Sequence, residues 1–183
     1  MMSGAACLHW SNLFLTGRPG AGKTTLLFRA LRERGVRLGG FCVKRVYRRA
    51  LLDGMDMIDL ATLRRARMVT FESGGRQGPG LTVHRGAFLE IGAPSLLAAL
   101  ECADVIVMDE LGRFECGLVE FTNCVFAALN APKPVVGVLK DESNPFLDEV
   151  RARRDVRVLR LDRDSRDEVG REFRSLLLDL LAY

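Results

Sequence analysis

The chain has 183 residues, of which 48% are hydrophobic and 27% charged, with a net charge of +4. This is the make-up of a soluble globular unit large enough for a real core. No apolar run approaches the ~18 residues of a membrane span, and the first apolar stretch lacks the basic leader of a secretory signal.

The first element expected is a short strand, Leu13-Phe14-Leu15-Thr16, running into Gly17-Arg18-Pro19-Gly20-Ala21-Gly22-Lys23-Thr24 and then a helix through Leu26–Leu31 that ends near Arg34 and Gly35. The eight residues fit G-x-x-x-x-G-K-[ST], the phosphate-binding loop. Its glycines let successive N–H groups turn toward a polyphosphate. The helix starting near Gly22 aims its positive end at the same anion. Gly17 through Thr25 are therefore the candidate nucleotide-binding residues. In this loop Lys23 reaches the β- and γ-phosphates, and the Thr24 hydroxyl is placed to ligate Mg²⁺. Arg18 occupies a variable position that faces solvent.

Residues 37–85 follow as short strand-like pieces around Phe41–Val43, Met55–Ile58, Arg67–Phe71 and Leu81–Val83, with a turn-rich run from Gly74 to Gly80. They read as antiparallel hairpins inserted beside the sheet. Pro94 suits the first turn of a helix through Leu100. A strand at Val105–Met108, a helix at Leu118–Leu129 and a strand at Pro134–Leu139 come next. Asn144-Pro145 is expected to cap a short helix before the last strand, Val156–Leu159. Ser165-Arg166-Asp167-Glu168 has the capping-box pattern, and the helix behind it carries Val169, Phe173, Leu176, Leu177, Leu180 and Leu181 on one face. The alternation predicts a single α/β domain over residues 1–183 with a largely parallel sheet, three layers and a hairpin-rich insertion.

Val105–Met108 ends in Asp109-Glu110. Downstream of a phosphate loop, an apolar strand ending in two carboxylates is what a magnesium-dependent NTPase needs. Asp109 would hold the ion with Thr24, and Glu110 would orient or deprotonate the attacking water. Phosphoryl transfer also calls for a further cation, with Arg113 first, Arg166 second, and Arg45, Arg48 and Arg49 behind them. Glu115 is placed to order Arg113 or its loop. His84 reads as a hairpin surface residue, and Trp10 as a residue packing on the core. The cysteines, Cys7, Cys42, Cys102, Cys116 and Cys124, show no metal spacing and are expected to be reduced, mostly buried thiols of a cytoplasmic protein.

Gly17–Thr24, Gly40-Phe41, Asp109-Glu110-Leu111-Gly112-Arg113-Phe114-Glu115, Asn144-Pro145-Phe146 with Glu149-Val150, and Ser165-Arg166 together resemble the small nucleoside-triphosphatases of the thermophile-protein type, described in animals as cancer-related nucleoside-triphosphatase. The resemblance covers nearly the whole chain. It implies a P-loop fold of the additional-strand, catalytic-glutamate type and slow Mg²⁺-dependent hydrolysis of ATP, GTP and other NTPs to diphosphate and phosphate. The family commonly runs T-x-E-V-R after Gly-Phe, whereas here the stretch is Cys42-Val43-Lys44-Arg45-Val46-Tyr47, so an acidic position has become basic. Two other readings stand beside hydrolysis. One is a nucleotide or small-molecule kinase with residues 45–67 as its lid, although no acceptor-binding signature is visible. The other is a nucleotide-dependent module for nucleic acid or a protein. It draws on eleven basic residues against four acidic between Arg29 and Arg67, and a modest total charge disfavours it.

Overall fold

The structure, a computed structural model, describes residues 10–75 and 78–182. Five strands, β1 (Asn12–Thr16), β2 (Leu38–Arg48), β6 (Val105–Leu111), β7 (Val135–Leu139) and β8 (Val156–Arg160), form the parallel part of one sheet. Three more, β3 (Leu51–Asp59), β4 (Arg65–Gly75) and β5 (Gly78–Val83), extend it with antiparallel pairings. The order across the sheet is β5-β4-β3-β2-β6-β7-β1-β8. β7 therefore lies between β1, which feeds the phosphate loop, and β6, which carries Asp109 and Glu110. This is the inserted strand that the family resemblance implies.

The central strands are apolar on both faces because both faces are covered. In β1, Leu13 and Leu15 pack with α1 (Lys23–Arg32) and α6 (Arg166–Leu181), while Phe14 joins the core on the other side. β6 divides in the same way: Val105 and Val107 face one core, Ile106 and Met108 the other. The second face is covered by a continuous helical run and two further helices. The run comprises α2 (Arg85–Ala87), a π turn at Phe88–Gly92 and α3 (Ala93–Cys102), followed later by α4 (Val119–Leu129) and α5 (Pro145–Ala152). Phe121 of α4 sits 5.7 Å from the Phe41 ring and 5.3 Å from Phe88, tying β2 to the π turn.

The hairpin-rich region is not a separate layer. β2 pairs through Leu38–Cys42 with β6 and runs on beyond the parallel sheet to pair with β3. Gly40 makes the first pairing possible. Its φ of +90° is open to glycine, and an added Cβ would collide with the Val107 carbonyl oxygen. The expected turn at 74–80 falls partly on residues 76–77, outside the described residues; on either side of them β4 and β5 pair directly.

Local readings at the helix ends divide. Asn144 caps α5 as expected, its Oδ1 accepting from the Leu147 N–H at 2.9 Å. The capping box at Ser165 does not form. A box requires an extended backbone at the capping residue. Ser165 instead has φ −99° and ψ 7°, and its Oγ accepts from the Asp162 N–H. The cysteines are also less buried than expected. Cys42 is buried and Cys124 half-buried, but Cys102 at the end of α3 and Cys116 in the loop after β6 are exposed. Cys7 lies outside the described residues.

Candidate functional site

The parallel strands bring their carboxyl ends to one edge, the usual place for a ligand in such sheets. The loops there leave a cleft of about 600 Å³. The phosphate loop forms one side of it. Gly17 is held at φ +128° against the Leu161 carbonyl, where an added Cβ would collide with the oxygen, and Gly22 opens α1 at φ +95°. Both positions need glycine. Lys23 is only 8% exposed, and its Nζ donates to the carbonyls of Gly17 at 2.6 Å and Arg18 at 2.9 Å. Burial lowers its pKa, offset in part by Glu110 and Asp109. Pro19, Gly20, Thr24 and Thr25 also face the cleft, Ala21 is buried, and the Arg18 side chain is exposed.

Across the cleft, Thr24 Oγ1 donates to Asp109 Oδ1 at 3.1 Å, although 85 residues separate them. Asp109 is buried, and burial pushes its carboxyl up to about 7 against the opposing effects of Thr24 and Lys23. Its other oxygen, Oδ2, is buried with no hydrogen-bond partner. A hydroxyl, a carboxylate oxygen and an unsatisfied oxygen beside a phosphate loop make a hard-oxygen donor set that suits Mg²⁺. Glu110 is half-buried in the same cleft.

Of the candidate arginines, Arg113 and Arg45 line the cleft. Arg113 is exposed, with its guanidinium 5.1 Å from the Phe114 ring centre. Arg166 lies over the start of α1, where a Cβ on Gly22 would stand 3.2 Å from its Nη2. Arg48 and Arg49 border an adjoining cavity instead, and Arg48 is paired with Asp53 at 3.3 Å. Arg67 is bound to Asp53 and Asp56, and Arg37 to Asp104, so part of the basic segment is neutralised within the fold. Trp10 packs half-buried on the core, and His84 precedes α2 with its ring nitrogen 2.8 Å from Thr70 Oγ1.

Glu115 serves its loop. It is 1% exposed, and its Oε2 accepts from the Gly112 N–H at 2.9 Å. Burial pushes its pKa from 4.5 to about 7. The folded state therefore favours the protonated form. The stability this contributes is complete below about pH 4.5 and is lost as pH rises through about 7. A Glu115→Gln protein lacks that dependence. Between about pH 4.5 and 7.5 its stability relative to the parent should rise by about 3 kcal/mol, over any fixed offset. Urea unfolding at the two pH values measures this, and a constant difference would refute it.

Sequence reasoning missed the residues after β7. Lys140 Nζ lies 3.5 Å from Glu110 Oε1 and 5.0 Å from the Phe114 ring centre. Asp141 and Glu142 follow it into the cleft, with Asp141 held by Arg160 at 2.8 Å. Their position just beyond a parallel strand next to β1 was the available signal, since ligands gather at such ends.

A family model described as NTPase matches residues 12–173. The nucleoside-triphosphatase THEP1 of Thermofilum pendens is 31% identical over 176 residues, spanning 91% of this chain and 97% of the relative. That of Methanosarcina barkeri is 29% identical over 170 residues, spanning 88% and 97%. Among solved structures, THEP1 from Aquifex aeolicus superposes with a TM-score of 0.73 at 25% identity, covering 91% of this chain and 98% of the other. A human cancer-related nucleoside triphosphatase gives 0.72 at 26% identity, covering 91% and 96%.

Proposed function

The chain belongs to this NTPase family, and from that premise we propose that it is a Mg²⁺-dependent nucleoside-triphosphate hydrolase, acting as one domain in the cytoplasm on ATP, GTP and other NTPs. The observation that carries the reading is the Thr24–Asp109 hydrogen bond, which puts the two metal-binding candidates together beside Lys23 and Glu110.

The backbone of Gly17–Thr25 receives the phosphates, and Lys23 exchanges its carbonyl partners for phosphate oxygens. Thr24 and Asp109 would hold Mg²⁺, which would supply charge neutralisation for the phosphates. Glu110 takes the proton of the attacking water. Arg113, with Arg166 behind the loop, stabilises charge on the transferring phosphoryl group. No helix among the described residues is long and apolar enough to cross a membrane. The internal pairing of Arg37, Arg48 and Arg67 weighs against a dedicated nucleic-acid surface. Phosphate release from ATP and GTP, with Mg²⁺ and then with excess EDTA, tests the reading. Release that stops with EDTA and is unchanged by added RNA is expected; no release with Mg²⁺ would overturn it.

Lys140 positions Glu110 through their ion pair, with its ammonium group over the Phe114 ring. Lys140→Met keeps much of the packing and removes the charge. Its kcat should fall roughly 10- to 100-fold, the scale of a misplaced catalytic group, with KM little changed. Lys140→Arg should restore most of the rate. Equal losses in Met and Arg variants would show that the pair does not orient the base.

A further inference from the structure

Charged side chains that act on a reaction need fixed places. Strands β2–β4, which wall the far side of the cleft, contribute mainly apolar groups, Val43, Leu52, Met55 and Phe71, together with Arg45. The cations nearest Glu110 come instead from the loops after β6 and β7. Lys140, the first residue beyond β7, is fixed along its whole length. Its backbone N–H donates to the Leu111 carbonyl at 2.9 Å. Its stem crosses Gly112 so closely that a Cβ added there would stand 2.7 Å from Cδ. Its ammonium ends 3.5 Å from Glu110 Oε1 and 5.0 Å from the centre of the Phe114 ring. Arg113 meets the same ring, with its guanidinium carbon 5.1 Å from the centre. Two cations of the cleft are thus gathered on one aromatic side chain. That side chain is itself held. It is half-buried against the core, and its loop is pinned by Glu115, whose Oε2 accepts from the Gly112 N–H at 2.9 Å.

The kind of partner matters. A guanidinium held by a carboxylate spends its N–H donors there, as Arg160 does on Asp141 with two bonds of 2.8 Å. A guanidinium held by a ring is attracted through its charge and keeps its five donors. Among the described residues no carboxylate lies within ion-pair distance of Arg113, so those donors stay open to a phosphoryl oxygen. For Lys140 the need is different. An ammonium on a flexible four-carbon stem is poorly fixed by one ion pair. The ring gives it a second contact without adding an acceptor that would compete with Glu110. Resting on the assignment of Glu110 as the base, we propose that Phe114 is a positioning residue of this site. One ring places Arg113 for the phosphoryl group and Lys140 for Glu110, and it acts on the reaction only through those two cations.

The test uses the whole protein, first by steady-state phosphate release from ATP with Mg²⁺. Phe114→Leu keeps an apolar side chain and removes the π face. Its kcat should fall about 3- to 30-fold, the rate equivalent of one or two cation–π contacts, with KM little changed. Phe114→Tyr keeps the face and should keep most of the rate. In a Lys140→Met or Arg113→Ala background the loss from Phe114→Leu should shrink, because part of what it removes is already gone. A second measurement needs no turnover. The chain has four lysines, Lys23, Lys44, Lys133 and Lys140, so the NMR signals of lysine-labelled protein can be assigned by substitution. The ε-methylene protons of Lys140 should lie upfield of the other three in the parent and lose that shift in Phe114→Leu. An unshifted Lys140 in the folded parent would overturn the proposal and leave the hydrolase standing. So would equal rates in Phe114→Leu and Phe114→Tyr, or a Phe114→Leu loss undiminished in both backgrounds. No phosphate release by the parent would bring down the hydrolase reading and this role with it.

Discussion

Glu110→Gln should bind ATP·Mg²⁺ as the parent does and release phosphate about 10²–10⁴-fold more slowly, the range for loss of a positioned general base. The amide keeps the shape of the side chain and cannot accept the water's proton. Glu110 lies in the same cleft as Lys23, Thr24 and Asp109, and it is the carboxylate that Lys140 holds at 3.5 Å. Asp109 is not free to act as the base: it is buried and accepts from Thr24. Calorimetric titration with ATP and a phosphate-release assay report binding and turnover separately. Hydrolysis at the parent rate would show that another group takes the proton and that the mechanism above is wrong.

Lys23→Ala should weaken ATP and ADP binding by roughly 10- to 150-fold, the equivalent of one charge-assisted contact of about 1.5–3 kcal/mol. The lysine is nearly buried and already bonded to two loop carbonyls. Part of the new contact therefore only replaces an old one, and the loss for ADP should lie toward the lower end. ATP should lose more, because its γ-phosphate also lies within reach of Nζ. A folded variant with unchanged affinity for both nucleotides would refute the phosphate-loop assignment.

Much of this was legible in the chain because the signals are local. Gly17 and Gly22 adopt backbone angles that their own lack of a Cβ permits, and a run of eight consecutive residues is enough to specify the phosphate loop. The apolar run Val105–Met108 announced a buried strand, and the carboxylates after it announced the second half of the site. Where local patterns misled, a competing local conformation had won. Ser165 turned its hydroxyl oxygen to the Asp162 N–H rather than to the helix. Tight hairpin turns usually signal themselves by glycine or asparagine. The β2–β3 turn carries neither and uses Arg49 and Ala50 at φ 48° and 66°.

By itself the sequence determined the phosphate loop, the carboxylate strand, the α/β alternation and the family, since steric freedom and hydrophobic periodicity act over a few residues. Only the tertiary structure decided that Thr24 reaches Asp109, that Lys140 pairs with Glu110, and that β2–β4 wall the far side of the cleft. Each of these depends on strand order and register. Those are set by how whole faces pack across the sheet, a balance of long-range contacts that no short run of residues contains.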